Sequence, residues 1–233
     1  MIAEDEVYYK KMNKNQLDDE FVNACNKGHL EVVKYLLTSS DLKKHANIHK
    51  TEDSGFILSC RANHLEIVKY LLTSSDLKEH AHIHAQNNAA FIGACIYGAL
   101  DIVKYLLMSP DLKEHVNIHV DDNLGVRSAC WNGHLQLANY LLISSELKEH
   151  ADIHADNDEA FINICKYPKN KDDIIQYLIF DYQIEKTKHI ELFLIENKKE
   201  DIINMFERRD FEKTLQTELK NENEIKKNNK MKI

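Results

Sequence analysis

The sequence contains few of the residues that interrupt helices, with six glycines and two prolines among 233 residues. This scarcity argues against a loop-rich β-sandwich, a collagenous chain or a largely disordered one, and it favours long uninterrupted helices. A chain of this length is large enough for one or two domains with buried cores. The composition therefore predicts an all-α protein.

Two further features are missing, an excess of basic residues and a long apolar run. The chain has 38 acidic against 30 basic side chains, a formal charge of −8. Because phosphate binding needs a clustered basic surface, we expect no nucleic-acid partner. No stretch approaches the roughly 20 consecutive apolar residues that cross a bilayer, and the first residues lack the apolar core of a secretory signal. We expect no membrane insertion and a cytoplasmic location.

The sequence repeats every 35 residues, in units that begin at Phe21, Phe56, Phe91, Val126 and Phe161. A fixed period in this range is typical of stacked supersecondary units, which cannot bury their apolar faces alone. The repeat therefore predicts a solenoid.

Each unit carries the signals of two antiparallel helices. A residue type that commonly caps helix starts stands three positions before each opening apolar residue, as Asp18, Asp53, Asn88, Asn123 and Asp158. The first helix is then expected to end at Gly28, Asn63, Gly98 and Gly133. The second helix should begin near Leu30, Leu65, Leu100 and Leu135. A short turn and an extended, finger-like loop are expected to lead into the next unit.

The run ACNKGHLEVVKYLL at residues 24–37, followed by the step ANIH, resembles the ankyrin repeat. The family's TPLH motif is absent, residues are inserted after the LL pair, and the hairpin linker is shorter. The variant is similar to ankyrin arrays of intracellular bacteria and giant viruses. The resemblance implies an ankyrin-type helical solenoid, built of stacked helix-turn-helix repeats with short loop fingers, that binds proteins without catalysis.

Four segments are expected along the chain. Residues 1–20 would form an N-terminal cap, and residues 21–183 five ankyrin-like repeats. Residues 184–217 would form degenerate C-terminal capping helices, because a stack needs a terminal unit with a polar outer side. Residues 218–233 are charged and contain no aromatic side chain, which predicts a disordered polar tail.

Cysteine and histidine recur in columns that suggest a metal site. Unit one places Cys25, His29, His45 and His49 in an order that resembles a zinc site. However, Ala99 replaces the first histidine in unit three, and recurrence within a structural repeat explains both columns. Each cysteine matches a small alanine of the ankyrin pattern, which implies a buried, unreactive thiol. We expect no metal and no cofactor, with a metal- or pH-responsive array of histidines as an alternative.

Catalytic motifs are missing as well. The sequence has no glycine-rich phosphate loop, no G-x-S-x-G elbow and no kinase motif set, and its carboxylates are scattered over repeat faces and caps. We therefore expect that the protein is not an enzyme.

The two residues after each cysteine differ sharply between units, as expected of positions that are free to serve a ligand. In the ankyrin family the matching positions end the first helix on the concave face, which commonly contacts partners. The candidate partner-binding residues are Lys27, Arg61, Ile96, Tyr97, Trp131, Asn132, Lys166 and Tyr167. Trp, Tyr and Arg that become buried in an interface often dominate its binding energy. The alternative is that Trp131 packs against the next unit.

The sequence thus predicts a monomeric module that binds a protein partner. If the source is an intracellular bacterium, the resemblance implies delivery into a host cell as an effector, with the Lys-rich tail as a secretion signal. The remaining alternative is a structural spacer, in which the variable columns have no function.

Overall fold

The computed structural model describes residues 3–166 and 172–230. These residues form helices joined by turns and short loops, and none of them belongs to a β-strand. The chain divides into two compact units, Met1–Ala155 and Asp156–Ile233. Within the described ranges, no helix is both long and apolar enough to span a membrane.

The first compact unit contains the early repeats. Its helices are α1 (Ala3–Lys10), α2 (Lys14–Lys27), α3 (Leu30–Thr38), α4 (Ser54–Arg61), α5 (Leu65–Thr73), α6 (Ala85–Ile96), α7 (Leu100–Met108), α8 (Val120–Trp131) and α9 (Leu135–Ile143). Helices α2, α4, α6 and α8 are the first helices of units one to four, and each packs on the second helix that follows it. The first helices also pack on one another in chain order. This stacking confirms the predicted all-α solenoid.

The predicted N-caps are confirmed only in part, because Asp53 stands at the N-cap of α4 whereas α2 begins before Asp18. Helix α2 begins five residues earlier than expected, because Asn13 and Gln16 cap it reciprocally at 3.1 and 2.9 Å. Asp18 therefore lies inside α2. In later units, three successive residues with left-handed backbone precede the first helix. Asp53 (φ 64°) is the last of the first such run, and the side chain of Asp53 makes no capping bond. Aspartate and asparagine tolerate this conformation better than most residues do.

The opening residues of the units form the core. Phe21, Phe56, Phe91 and Val126 have no exposed surface, and the cysteines of the same units are fully buried beside them. Burying a side chain of this size contributes about 1.5–3 kcal/mol relative to leaving it exposed. The column of opening residues therefore holds neighbouring units together.

The second compact unit contains the first helix of the fifth repeat and the C-terminal helices. Its helices are α10 (Ala155–Lys166), α11 (Asp172–Gln176), a π-helical turn (Tyr177–Asp181), α12 (Lys188–Glu196) and α13 (Glu200–Lys230). Phe206 on α13 is fully buried. The guanidinium of Arg209 is also buried, where it donates to the carbonyl oxygen of Ile184 at 2.6 Å.

The expected tail differs from the structure. Residues 218–230 continue α13, whereas we expected disorder from residue 218, and residues 231–233 lie outside the described range. The segment 200–230 contains no glycine or proline, and its Lys, Glu and Leu residues have high helix propensity. Nothing local therefore stops the helix at residue 218. The expected capping region 184–217 contains α12 and the first part of α13.

Candidate functional site

The candidate partner-binding residues lie at the ends of the first helices. Lys27, Arg61, Ile96, Trp131 and Lys166 are the last residues of α2, α4, α6, α8 and α10. Each lies one or two positions after a buried cysteine, and one residue further along a helix turns a side chain by about 100° away from the core. Tyr97 and Asn132 are the next residues along, at the C-caps. Tyr167 lies outside the described residues.

Two aromatic side chains of this set are exposed. Tyr97 has 59% of its surface exposed and Trp131 has 39%, while Ile96 is half-buried. Lys27, Arg61 and Asn132 are exposed as well. We call Lys27, Arg61, Ile96, Tyr97, Trp131 and Asn132 the helix-end surface. It combines aromatic and cationic groups, which is the composition of many interface hot spots.

Arg61 and Tyr97 are held together across two units. The guanidinium carbon of Arg61 lies 5.7 Å from the centre of the Tyr97 ring, within the range of a cation–π interaction. The stem of Arg61 runs over Gly93, where an added Cβ would lie only 2.6 Å from Arg61 Cγ. Gly93 thus provides the space that lets the arginine reach the tyrosine.

The other candidate residues have local partners. The side-chain amide of Asn132 donates to the carbonyl oxygen of Ser128 at 2.9 Å. Lys166 belongs to the second compact unit, where its ammonium lies 5.7 Å from the centre of the Phe193 ring. Arg61 and Tyr97 are a pair of candidate residues that the structure brings into mutual contact.

Histidines of the inter-helix turns connect successive units directly beneath the helix-end surface. His64 Nε2 donates to the carbonyl oxygen of Asn26 at 3.0 Å, and His134 Nε2 donates to that of Ile96 at 2.8 Å. Each imidazole also lies over a turn glycine of the preceding unit, Gly28 or Gly98. These contacts fix the backbone that carries the exposed side chains.

Sequence reasoning missed this cross-unit contact, although a signal for it was present. Where the preceding turn residue is Gly28, the next unit has a histidine at the start of its second helix. Where the preceding turn residue is Asn63, the next unit has Ala99 instead. A Cβ at Gly28 would lie 2.5 Å from the His64 ring, so a side chain at the turn and an imidazole over it compete for the same space.

The loop histidines make bonds within their own unit. His45, His80, His115 and His150 each place Nε2 at 2.8–2.9 Å from the carbonyl oxygen of the serine that follows their second helix. A second column, His49, His84 and His119, places Nδ1 at 2.7–2.8 Å from the side-chain oxygen of the residue four positions later. Local hydrogen bonding therefore accounts for both columns.

Burial makes the cysteine thiols unreactive. Burial raises the pKa of the Cys25 thiol to about 12, and it does the same for Cys130 and Cys165. All five thiols are free and buried. The zinc-like set of unit one is not brought together, since His45 bonds to Ser39 and His49 bonds to Asp53.

Comparison with known proteins identifies the repeat. Residues 21–122 match the family model described as Ankyrin repeats (3 copies). The matched segment covers units one to three, which include the Arg61–Tyr97 pair. No curated protein matches the chain.

Proposed function

Because residues 21–122 of this chain are ankyrin repeats, we propose that the protein binds a protein partner on the helix-end surface and has no catalytic activity. Ankyrin repeats are generally protein–protein interaction modules. In the family the corresponding positions lie on the concave face, and we assign the same role to them here.

The observation that carries this proposal is the exposed Arg61–Tyr97 pair, together with the exposed Trp131. An exposed tyrosine and tryptophan offer large contact areas with little conformational entropy to lose. The arginine is already oriented by its contact with the tyrosine ring at 5.7 Å. A partner therefore meets a surface whose ordering cost is low, which favours affinity.

The chemistry of the surface indicates the kind of segment it accepts. Tyr97 and Trp131 provide apolar area, whereas Lys27 and Arg61 provide positive charge in a chain whose net charge is −8. We propose that the partner presents an apolar side chain flanked by acidic residues. Such a segment would meet complementary charge here and repulsion over much of the remaining surface.

The test is capture of a partner from a candidate host lysate by three matched proteins. The wild type is compared with Tyr97→Ala/Trp131→Ala and with Tyr8→Ala/Ile143→Ala, which removes two exposed apolar side chains elsewhere. Circular dichroism first establishes that all three are equally folded. Binding by the wild type and the control, with loss in Tyr97→Ala/Trp131→Ala, supports the proposal. Equal capture by all three contradicts the assignment of the surface, and capture by none favours a structural spacer.

Localisation and delivery form a separate proposal. We propose a cytoplasmic monomer and, for a bacterial source, delivery into a host cell with residues 218–233 as the signal. The segment is rich in lysine and glutamate, and it includes the end of helix α13 at Lys230. A translocation reporter fused to the chain with and without residues 218–233 tests this, and unchanged delivery of the truncated chain would refute it.

A further inference from the structure

Three potential metal ligands meet where the loops of units one and two come together. His49 Nδ1 lies 2.8 Å from one carboxylate oxygen of Asp53, and His82 Nδ1 lies 2.9 Å from the other. The two imidazole rings stack with their centres 4.5 Å apart. Within residues 3–166 and 172–230, this is the one group of three or more His, Cys, Asp or Glu side chains that converges in this way.

The backbone places these three groups before any ion is present. Asp53 follows His49 by four residues, across a run of left-handed residues that includes Thr51 and Glu52. Its carboxylate is 3% exposed, so it cannot turn away into solvent without breaking its surroundings. His82 comes from the next loop and is 70% exposed, which leaves the cluster open to an ion from solution.

His82 does not make the local hydrogen bond that the residue at its position makes in units one and three. In units one and three this position holds Asn47 and Asn117, whose side chains accept from the backbone N–H two residues later at 3.0 and 2.8 Å. An imidazole stands in their place in unit two, and it turns towards Asp53 instead. A purely structural loop does not require this exchange, since asparagine serves in the neighbouring units.

Asp53 is likewise charged where the next two units have the neutral residues Asn88 and Asn123. His84 and His119 form the same local bond to Asn88 and Asn123, at 2.7 and 2.8 Å. An amide is therefore sufficient for the loop geometry. Among the described residues, a histidine at the position of Asn47 and Asn117 meets such a carboxylate only between units one and two. At the equivalent position Asp158 contacts Thr187, and His189 Nδ1 lies farther from it, at 3.8 Å.

We propose that His49, Asp53 and His82 bind a divalent zinc-like ion and so link the first two repeats. Zinc prefers imidazole and carboxylate donors at about 2.0–2.2 Å, and tetrahedral donors at these distances are about 3.3 Å apart. The N–O separations of 2.8 and 2.9 Å need to open by only about half an ångström to admit the ion. Water would take the fourth position. Each neutral imidazole binds through Nδ1 as its Nε2–H tautomer, so its proton moves from Nδ1 to Nε2 by exchange with solvent and no net proton is released.

The site lies on the loops, whereas the helix-end surface lies at the ends of the first helices, so this inference is independent of the proposed function. Because the ligands come from two loops, the ion joins them and stabilises the folded array over the unfolded chain. The expected role is to strengthen the junction between units one and two.

The test measures Zn²⁺ binding to the full chain by calorimetry, together with the thermal midpoint. Asp53→Asn and His82→Asn install the residue types that neighbouring units already carry, so both variants should fold. His80→Asn, which removes a loop histidine two residues from His82, is the matched control. We expect 1:1 binding in the wild type and in His80→Asn, and weakening of at least about tenfold in the two cluster variants. Zn²⁺ should raise the thermal midpoint only where it binds.

Either of two kinds of result, in Zn²⁺ binding or in Co²⁺ absorption, would overturn the proposal. One is the absence of saturable Zn²⁺ binding by the wild type, or equal binding by all four proteins. The other is a thiolate-to-metal absorption band with Co²⁺, which would assign the ion to cysteine instead of to His49, Asp53 and His82. A Co²⁺ absorption spectrum that lacks the thiolate band in the wild type, and that disappears in Asp53→Asn, would support the ligand set.

Discussion

Replacing Gly28 with asparagine is expected to destabilise the array chiefly through His64. Gly28 has a left-handed backbone (φ +78°), and a Cβ added there would lie 2.5 Å from Cε1 and 2.7 Å from Nδ1 of His64. The imidazole cannot move aside freely, because its Nε2 donates to the carbonyl oxygen of Asn26 at 3.0 Å. The added side chain therefore forces either a shift of the turn or loss of this hydrogen bond.

The magnitude combines two contributions. Overpacking a filled site typically costs about 1–3 kcal/mol. Loss of the hydrogen bond alternatively costs about 0.5–1.5 kcal/mol. Asparagine also bears a smaller cost for the left-handed backbone, which it tolerates better than most residues. We therefore expect Gly28→Asn to lower the free energy of unfolding by about 1–3 kcal/mol.

The chain itself contains the compensated arrangement. Asn63 has the left-handed conformation (φ 62°) at the same position of the next unit, and Ala99 stands where a histidine would otherwise lie over it. Gly28→Asn/His64→Ala transfers this pair to the junction between units one and two. The backbone cost of Gly28→Asn is the same with or without His64, so it cancels in a double-mutant cycle. The expected coupling is about 1–3 kcal/mol in favour of the double variant.

The assay is urea denaturation of four proteins: the wild type, Gly28→Asn, His64→Ala and the double variant. Far-UV circular dichroism reports the loss of helix. If Gly28→Asn lowers the free energy of unfolding by the same amount with and without His64, within about 0.5 kcal/mol, the turn and the imidazole are not coupled. That result would refute the reasoning.

Three further predictions concern the thiols, the loop acceptors and the helix-end surface. Burial raises the pKa of the Cys25 thiol to about 12, whereas the unfolded thiol ionises near 9.0. Its stabilising contribution is therefore complete below pH 9 and is lost as pH rises towards 12, by on the order of 1 kcal/mol at pH 10. Urea midpoints at pH 7–10 measure this loss. Asn123→Ala should cost about 1–3 kcal/mol in the same assay, because the backbone N–H of Asp152 loses its acceptor at 2.9 Å. Gly93→Ala should weaken partner binding with little loss of stability, because the new Cβ displaces the flexible stem of Arg61. Measuring both partner binding and the urea midpoint separates these two effects.

Each of these predictions has its own control. For the thiols, Cys25→Ala should reduce the alkaline loss of stability, and an unchanged pH profile would contradict the assignment. For the loop acceptor, Asn123→Asp should be nearly neutral, because Asp53 and Asp158 occupy the same position in other units. For the surface, Gly125→Ala is the comparison, since its Cβ would meet Phe91 in the core at 2.8 Å and should reduce stability rather than binding.

Local sequence signals predicted the helix boundaries well where a single residue type determines the boundary. The second helices begin at Leu30, Leu65, Leu100 and Leu135 as predicted. The first helices end within two residues of the predicted turn positions, because a left-handed residue is needed there and few others tolerate it. The register of the cysteines and of the residues that follow them was also predictable, since 3.6-residue periodicity sets which side chains face the core.

Signals that depend on a neighbouring unit were misread. Asp53 has the residue type of an N-cap, but its side chain instead accepts from His49 and from His82 of the next loop. The histidine columns suggested a metal site with Cys25, whereas the buried position of that thiol separates it from the loops. Charge, length and residue type cannot reveal which partner lies across a unit boundary.

The sequence by itself determined the all-α class, the 35-residue unit, the pairs of helices and the core positions, because periodicity and helix breakers act within one unit. The tertiary structure decided which side chains meet between units: Arg61 with Tyr97, Gly28 with His64, and Asp53 with His82. These contacts join residues 29 to 36 positions apart, and they form only when successive units stack in register. Stacking brings distant positions within a few ångströms of one another, and no local propensity specifies that distance.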